Sequence, residues 1–444
     1  MAASVFDSLI FNRLFPTGET VRLFSDTAEV RAMLLVEGAL AKVQGAQGII
    51  PDLSAQAIHR ATMELQIDPG ALSNPTGENG VSVPGLLAAF REAMNAPEHA
   101  QYLHWGATSQ DIIDTGLMLR LRQALGHCEA HLHSILNGLA ELAEAHADLP
   151  MAARTYGQHA TPTSFGAIVS DWGWPLLDLL SELDALRPAS LWVSLSGAAG
   201  TASALGPKAR QTRAELATAL GLQDPGRSWH TDRGPILRLA SWMGRVCVVL
   251  AKMGEDLIAL TQTGIGEVEL GKAGASSTMP QKQNPVAPSA LVALSAQVQG
   301  QLSVLLTNAA HRYQRDGAAW FAEWAVLPQI VLGTAAALET AQKLVPNLSP
   351  NIGQMEQALF SHLDMIHAEA LSFALASDMP RPDAQAATKL LCREAAETQT
   401  PLADLVRRDF PNLDANKLFE PASQMGHAPD DARRFVSALR SKQN

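Results

Sequence analysis

Two stretches of this chain repeat apolar residues every three or four positions for about seven helical turns each. The first runs Met118, Leu121, Leu125, Cys128, Leu132, Ile135, Leu139 and Leu142; the second runs Ile236, Leu239, Met243, Val246, Leu250, Met253, Leu257 and Leu260. A 3.6-residue period puts such positions on one stripe of a helix, and so long a stripe has to be covered by other long helices. Three further segments, roughly 166–187, 285–311 and 322–345, bring the number of long helices to five, with short joints between them. That is the pattern of an antiparallel bundle. Composition agrees: hydrophobic residues make up 47% of the chain but aromatics only 5%, and Ala and Leu dominate, which favours helix over sheet.

The expected fold class is therefore all-α. A central bundle spans 106–350, between a mixed N-terminal helical region (1–105) and a small C-terminal helical domain (351–444) with shorter helices and more Pro and Asp. In the N-terminal region Ser25 and Asp26 start a helix whose inward positions run Val30, Met33, Leu34, Glu37, Leu40 and Ala41. A length of 444 residues supports a large core. The net charge of -11 and the lack of a basic block argue against nucleic acid as a partner. Cys128, Cys247 and Cys392 are odd in number and far apart in sequence, which suits a reducing cytoplasm. No signal peptide is visible at M-A-A-S-V-F-D-S, and no uninterrupted apolar run is long enough to predict a membrane span.

Three stretches break the helical pattern and gather polar groups. Thr263–Pro285 reads T-G-I-G-E-V-E-L-G-K-A-G-A-S-S-T-M-P-Q-K-Q-N-P and joins two of the long helices. Ser276, Ser277, Lys282 and Asn284 give it hydroxyls, a cation and an amide, the groups a closing loop needs to hold an anion and move a proton. Spacing alone favours a Ser/Gly-rich surface linker. His104–Gly116, H-W-G-A-T-S-Q-D-I-I-D-T-G, sets Thr108, Ser109 and Gln110 at a helix start, where open N–H groups suit a carboxylate. Ser109 with Asp111 and Asp114 also fits plain capping. In M-A-A-R-T-Y-G-Q-H-A-T-P-T-S-F-G (151–166), Arg154, Thr155, Gln158 and His159 are suited to holding a carboxylate and supplying a proton. Arg312 and Arg315 lie in a polar joint before the last bundle helix. His127, Cys128, Glu129, His131 and His133 look like a metal cluster, but a helix puts His127 and His131 on the face opposite Cys128. No metal is expected.

The run A-S-S-T-M-P-Q-K-Q-N-P (275–285) resembles the signature of the fumarase/aspartase superfamily, usually G-S-S-x-M-P-x-K-x-N-P. Thr108–Thr115 and Arg154–Pro162 align with that superfamily's other two signature regions. The resemblance implies a homotetramer with active sites each shared between three subunits, one region coming from each. It implies no cofactor, no membrane and a small carboxylate substrate. Ser276, six residues before Lys282, matches the superfamily's catalytic serine. Lys282, Asn284, Arg154, Arg315, Thr108, Ser109 and Gln110 fall where charge must be held, His159 where a proton is handled, and His104 and Gln158 beside them.

Most members carry R-T-H in the second region, whereas this chain has R-T-Y-G-Q-H-A-T-P. That is similar to the superfamily's cycloisomerase branch, as are F-S-D (24–26), W-H-T (229–231) with Arg233, and the A-E-W and L-P of Ala322–Pro328. The resemblance covers most of the chain and implies intramolecular addition of a carboxylate to a diene in a tricarboxylate. Tyr156 stands against adenylosuccinate- or argininosuccinate-type lyases, which need a histidine there. A retired, crystallin-like structural bundle would have no use for Ser276, Lys282 and Asn284. Departures from the pattern are Ala275, Gln281, Gln283 and the segment Glu78–Pro84.

Overall fold

In the computed structural model residues 4–271, 274, 275, 279 and 282–443 are described. The protein is all-α, and its five longest helices are Ser109–Ala145, Phe165–Ser190, Gly234–Leu260, Val286–Thr307 and Gly317–Leu344. Both apolar stripes are buried as their period requires. Met118, Leu121, Leu125, Leu132, Ile135 and Leu139 are fully covered, as are Ile236, Leu239, Met243, Val246, Leu250 and Leu257. Only Leu142, at the end of the first stripe, is half-buried.

The chain packs as two compact units. The first comprises Met1–His131, Leu179–Val248 and Ala293–Glu339; the second comprises Leu132–Asp178, Val249–Val292 and Thr340–Asn444. In the first unit, helix Asp26–Ala46 starts at Ser25, whose hydroxyl accepts the Ala28 N–H. Leu40 of that helix joins Val193, Leu195, Leu205, Leu216 and Ala217 in one cluster. Cys128 and Cys247 are free, fully buried thiols of this unit, both pushed up to about 12 by burial. In the second unit, Leu371, Leu375, Leu391, Leu402, Val406 and Phe419 form the core of the C-terminal helices.

Two expectations change. Residues 150–164 are not simply a break between helices. Pro150–Thr155 and Gln158–Ser164 pair as an antiparallel hairpin, Arg154 opposite His159 and Thr155 opposite Gln158. The connecting residues Tyr156 (φ 53°) and Gly157 (φ 73°) both lie in the left-handed region, the pattern of a type I′ turn that matches strand twist. Secondly, among the described residues three helices are long and apolar enough to cross a membrane by length and composition: Gly234–Leu260, Val286–Thr307 and Gly317–Asn347. Scattered charges hide this from a search for uninterrupted runs. In the fold, 56%, 33% and 67% of their most apolar windows are buried inside the protein.

Candidate active site

In the first unit the start of helix Ser109–Ala145 is built around a buried carboxylate. Asp111 accepts hydrogen bonds from the Thr108 N–H (3.1 Å), the Ser194 hydroxyl (3.0 Å), the N–H groups of Ser196 and Gly197 (2.9 Å each) and His230 Nε2 (2.8 Å). Gly197 makes its bond at φ 71°, a conformation a side chain would strain. Because Asp111 accepts, His230 carries its proton on Nε2. The aspartate is thus a structural anchor rather than a dipole-matched surface charge, and it ties the segment 194–197 to the helix start.

One turn on, Asp114 takes two hydrogen bonds from Arg233 (2.8 and 3.0 Å), and Arg233 donates two more to Glu323 (2.9 and 2.6 Å). All three side chains are buried, and the guanidinium lies 4.9 Å from the Trp229 ring centre. Burial pushes the Glu323 carboxyl up even though Arg233 pulls it down. The two acids hold the Arg233 guanidinium charged against its own burial. Removing one member of such a triad leaves an uncompensated buried charge.

On this platform stand the candidate binding residues of the first unit. Arg315 donates through Nε to the Gln110 amide oxygen (2.9 Å) and through Nη2 to the Thr108 hydroxyl (3.3 Å) and the Ala198 carbonyl (3.3 Å). Gln110 in turn donates to the His230 carbonyl at 2.8 Å. The structure therefore brings Thr108, Gln110 and Arg315 together across some two hundred residues of chain. Arg315 is exposed and has no acidic partner among the described residues, so its charge is available to an anion. Ser109 opens the helix and is half-buried. His104, at φ 66°, places Nδ1 2.6 Å from Glu37 Oε1. Burial pulls its imidazole down, but Glu37 outweighs it and the net shift is upward.

The second unit holds the other candidates in two neighbouring cavities. One, of about 570 Å³, is lined by Arg154, Gln158, His159, Glu267, Gln354, Gln357, Ser361 and His362, among others. Arg154 makes two hydrogen bonds to Glu267 (2.7 and 2.8 Å) and a third to His159 Nε2 at 3.3 Å. Arginine only donates, so His159 accepts with Nε2 and carries its proton on Nδ1. Burial, then Arg154 and His362, hold its imidazole below the ordinary range. The other cavity, of about 580 Å³, is lined by Lys282, Asn284, Thr261, Gln262 and Asn351, and shares Gly264, Ile265 and Gln354 with the first. Lys282 is exposed, and Asn284 sits in a two-residue strand paired with Gly274. Ser276, Ser277 and Gln281 lie outside the described residues. Of the 127–133 cluster, His127, His131 and His133 are half-buried rather than solvated, His127 bonding buried Thr20 (3.0 Å), while Cys128 is in the core. Among the described residues no three side chains of metal-binding type come together.

Glu267 and His362 escaped the sequence reading. One of two acids, with Glu269, in a glycine-rich loop was the available signal for Glu267, and nothing local marks His362. Asp111, Asp114, Arg233 and Glu323 were visible only as capping residues or parts of matched motifs.

The structure thus sets a cation, unpaired among the described residues, at a helix start in one unit and an imidazole-bearing cluster in the other, groups suited to holding a carboxylate and moving a proton. The lyase family profile matches residues 22–300. The chain belongs to this family, within the fumarase/aspartase superfamily. A 3-carboxy-cis,cis-muconate cycloisomerase of Pseudomonas aeruginosa is 35% identical over 431 residues, covering 94% of each chain. The solved 3-carboxy-cis,cis-muconate lactonizing enzyme of Pseudomonas putida superposes with a TM-score of 0.91 at 33% identity, covering 98% of this chain and 100% of that one. Trans-aconitate decarboxylase 1 of Mycosarcoma maydis is 30% identical, with 96% of this chain and 88% of that one covered.

Proposed function

We propose that this chain is a 3-carboxy-cis,cis-muconate cycloisomerase. It adds one carboxylate of the substrate across its own diene to form a carboxymuconolactone. The observation that carries the reading is end-to-end agreement with cycloisomerases in both sequence and fold, with 94% of each chain aligned in one case and a TM-score of 0.91 in the other. Aromatic Tyr156, where lyases of the adenylosuccinate type need histidine, points the same way.

Carboxylate addition puts carbanion character beside another carboxylate, so fixed cations and donors must meet the developing charge. In this reading Arg315, held by Thr108 and Gln110 beside Ser109 and His104, supplies one cation. Lys282 and Asn284 supply another cation and an amide, and Arg154 and Gln158 line the remaining wall. Ser276 delivers the proton to carbon and takes it in the reverse direction, with His159 as a second proton carrier. Serine is a weak acid and base, so the loop has to close and the oxyanion be held by Lys282 or nearby N–H groups. The enzyme works as a cytoplasmic homotetramer with each site shared by three subunits, and it uses no cofactor.

The test is loss of 3-carboxymuconate ultraviolet absorbance, run beside adenylosuccinate cleavage with one preparation. Ser276→Ala should reduce turnover by a factor of about 100 to 10,000, the usual worth of a positioned proton donor. Ser277→Ala, one residue out of register, should change little. Adenylosuccinate cleavage without lactone formation would overturn the assignment, and a more damaging Ser277→Ala would move the chemistry to that hydroxyl.

A further inference from the structure

His362 is a residue the mechanism above does not use, and its setting is unusual. The imidazole lies edge-on to that of His159, with ring centres 5.6 Å apart and planes at 76°. It reaches this position from a turn in which His362, Leu363 and Asp364 have φ of 56°, 58° and 62°. Three successive non-glycine residues in the left-handed region are costly, and such strain persists only where the surroundings impose it, commonly at functional sites. Beneath the turn, buried Ile366 packs with Ala152 and Leu359, fixing it to the hairpin that carries His159.

The electrostatics of the cavity give this placement a purpose. Among the described residues its one arginine, Arg154, is already matched by Glu267 through two hydrogen bonds, and the Glu267 side chain is buried. A pair of this kind offers an incoming carboxylate little net charge. His159 has Nε2 occupied by Arg154, leaving Nδ1–H as a neutral donor. The other lining groups named above, Gln158, Gln354, Gln357 and Ser361, are uncharged. Among the described lining residues, the side chain in position to meet an incoming anionic group as a cation is His362.

Resting on the cycloisomerase reading, we propose that His362 is a substrate-binding residue: with His159 it forms a two-imidazole clamp that takes one carboxylate of the tricarboxylate substrate, His362 as the cation and His159 as the neutral donor, so that in the clamped state the proton to carbon falls to Ser276. Binding then brings a proton with it. The groups facing this clamp are His159 and Arg154 of the hairpin and Glu267 of the adjoining loop. Asp364 and His367 lie on the same turn, and Asp404 and Arg407 of helix Leu402–Asp409 act on Asp364. Helices Ala368–Leu375 and Arg381–Thr398 also pack on the turn but add no residue to the cavity wall.

The experiment uses the full chain with two substitutions: His362→Asn, which removes the imidazole but suits a left-handed backbone, and His362→Lys, which makes the cation permanent. Steady-state kinetics on 3-carboxymuconate and calorimetric titration with the unreactive tricarboxylate propane-1,2,3-tricarboxylate are run across the imidazole range. Proton uptake is read from buffers of different ionisation enthalpy. In the unsubstituted enzyme KM should rise up to about tenfold per pH unit on the alkaline side, and tricarboxylate binding should take up about one proton. His362→Asn should raise KM about 10- to 100-fold on the acid side, abolish the uptake and leave kcat within about threefold. His362→Lys should restore affinity without proton uptake. Unchanged KM and unchanged uptake in His362→Asn overturn the proposal, as does failure of the unsubstituted protein to bind the tricarboxylate. If 3-carboxymuconate is not turned over but tricarboxylate binding still takes up a proton through His362, the clamp stands and only the substrate assignment falls.

Discussion

Glu37 shows how a single residue carries information that its own segment cannot decode. It occupies an inward position of an otherwise apolar helical stripe, and the structure supplies the reason in His104, 2.6 Å away. Because the His104 imidazole is shifted upward in the fold, its ion pair stabilises the protein fully below the unfolded histidine value of about 6.5 and is lost as pH rises through the folded value. Denaturant midpoints should therefore fall from neutral to mildly alkaline pH, and the fall should be smaller in His104→Asn. Asparagine also tolerates φ 66°, so the comparison is not clouded by backbone strain. An unchanged pH slope would mean that another group causes it. The same limit on local reading applies to the rest of the site. Thr108, Gln110 and Arg315 were legible as types of residue at a helix start and in a polar joint. The Asp114–Arg233–Glu323 triad was not, because which arginine meets which acid across 119 and 90 residues is decided by packing.

At the level of elements, period carried most of the information. Both stripes, Met118–Leu142 and Ile236–Leu260, lie within helices, Ser109–Ala145 and Gly234–Leu260, because an apolar side chain every third or fourth position has few other ways to be buried. The last bundle helix starts at Gly317, about five residues before the apolar pattern suggests, since Asp316 accepts the N–H groups of Ala318 and Ala319 and opens the helix early. The hairpin at 150–164 was hidden because its strands are built from small and polar residues without alternation. Its turn is also written unconventionally, with Tyr156 where asparagine or aspartate is the usual choice. Tyr156 is fully exposed, so it gains no packing in return within the chain. Tyr156→Asn should raise unfolding stability by about 1 kcal/mol at fixed protein concentration, measured by chemical denaturation. A loss of stability instead would show that the ring is covered in the assembled protein.

For the whole molecule, the candidate residues fall into two groups held within separate compact units: Thr108, Ser109, Gln110, Arg315 and His104 in one, and Arg154, Gln158, His159, Lys282 and Asn284 in the other. If active sites are completed by several subunits, two inactive variants should repair one another when mixed in one oligomer. Arg315→Ala and Lys282→Ala proteins, each expected to be nearly inactive, should regain a sizeable fraction of turnover when co-expressed or unfolded and refolded together. Light scattering should give four subunits for each. No recovery from mixed tetramers would place all the chemistry within one chain. The core of the first unit offers a separate use. Cys128 and Cys247 sit at no more than 1% exposure with thiols held about three orders of magnitude from ready ionisation, at about 12 against an ordinary value near 9. An alkylating reagent at neutral pH has nothing to attack there until the helices part. The pace at which those two sulfurs are labelled is then a built-in stopwatch for the opening of the helical core, readable by mass alone and without any dye.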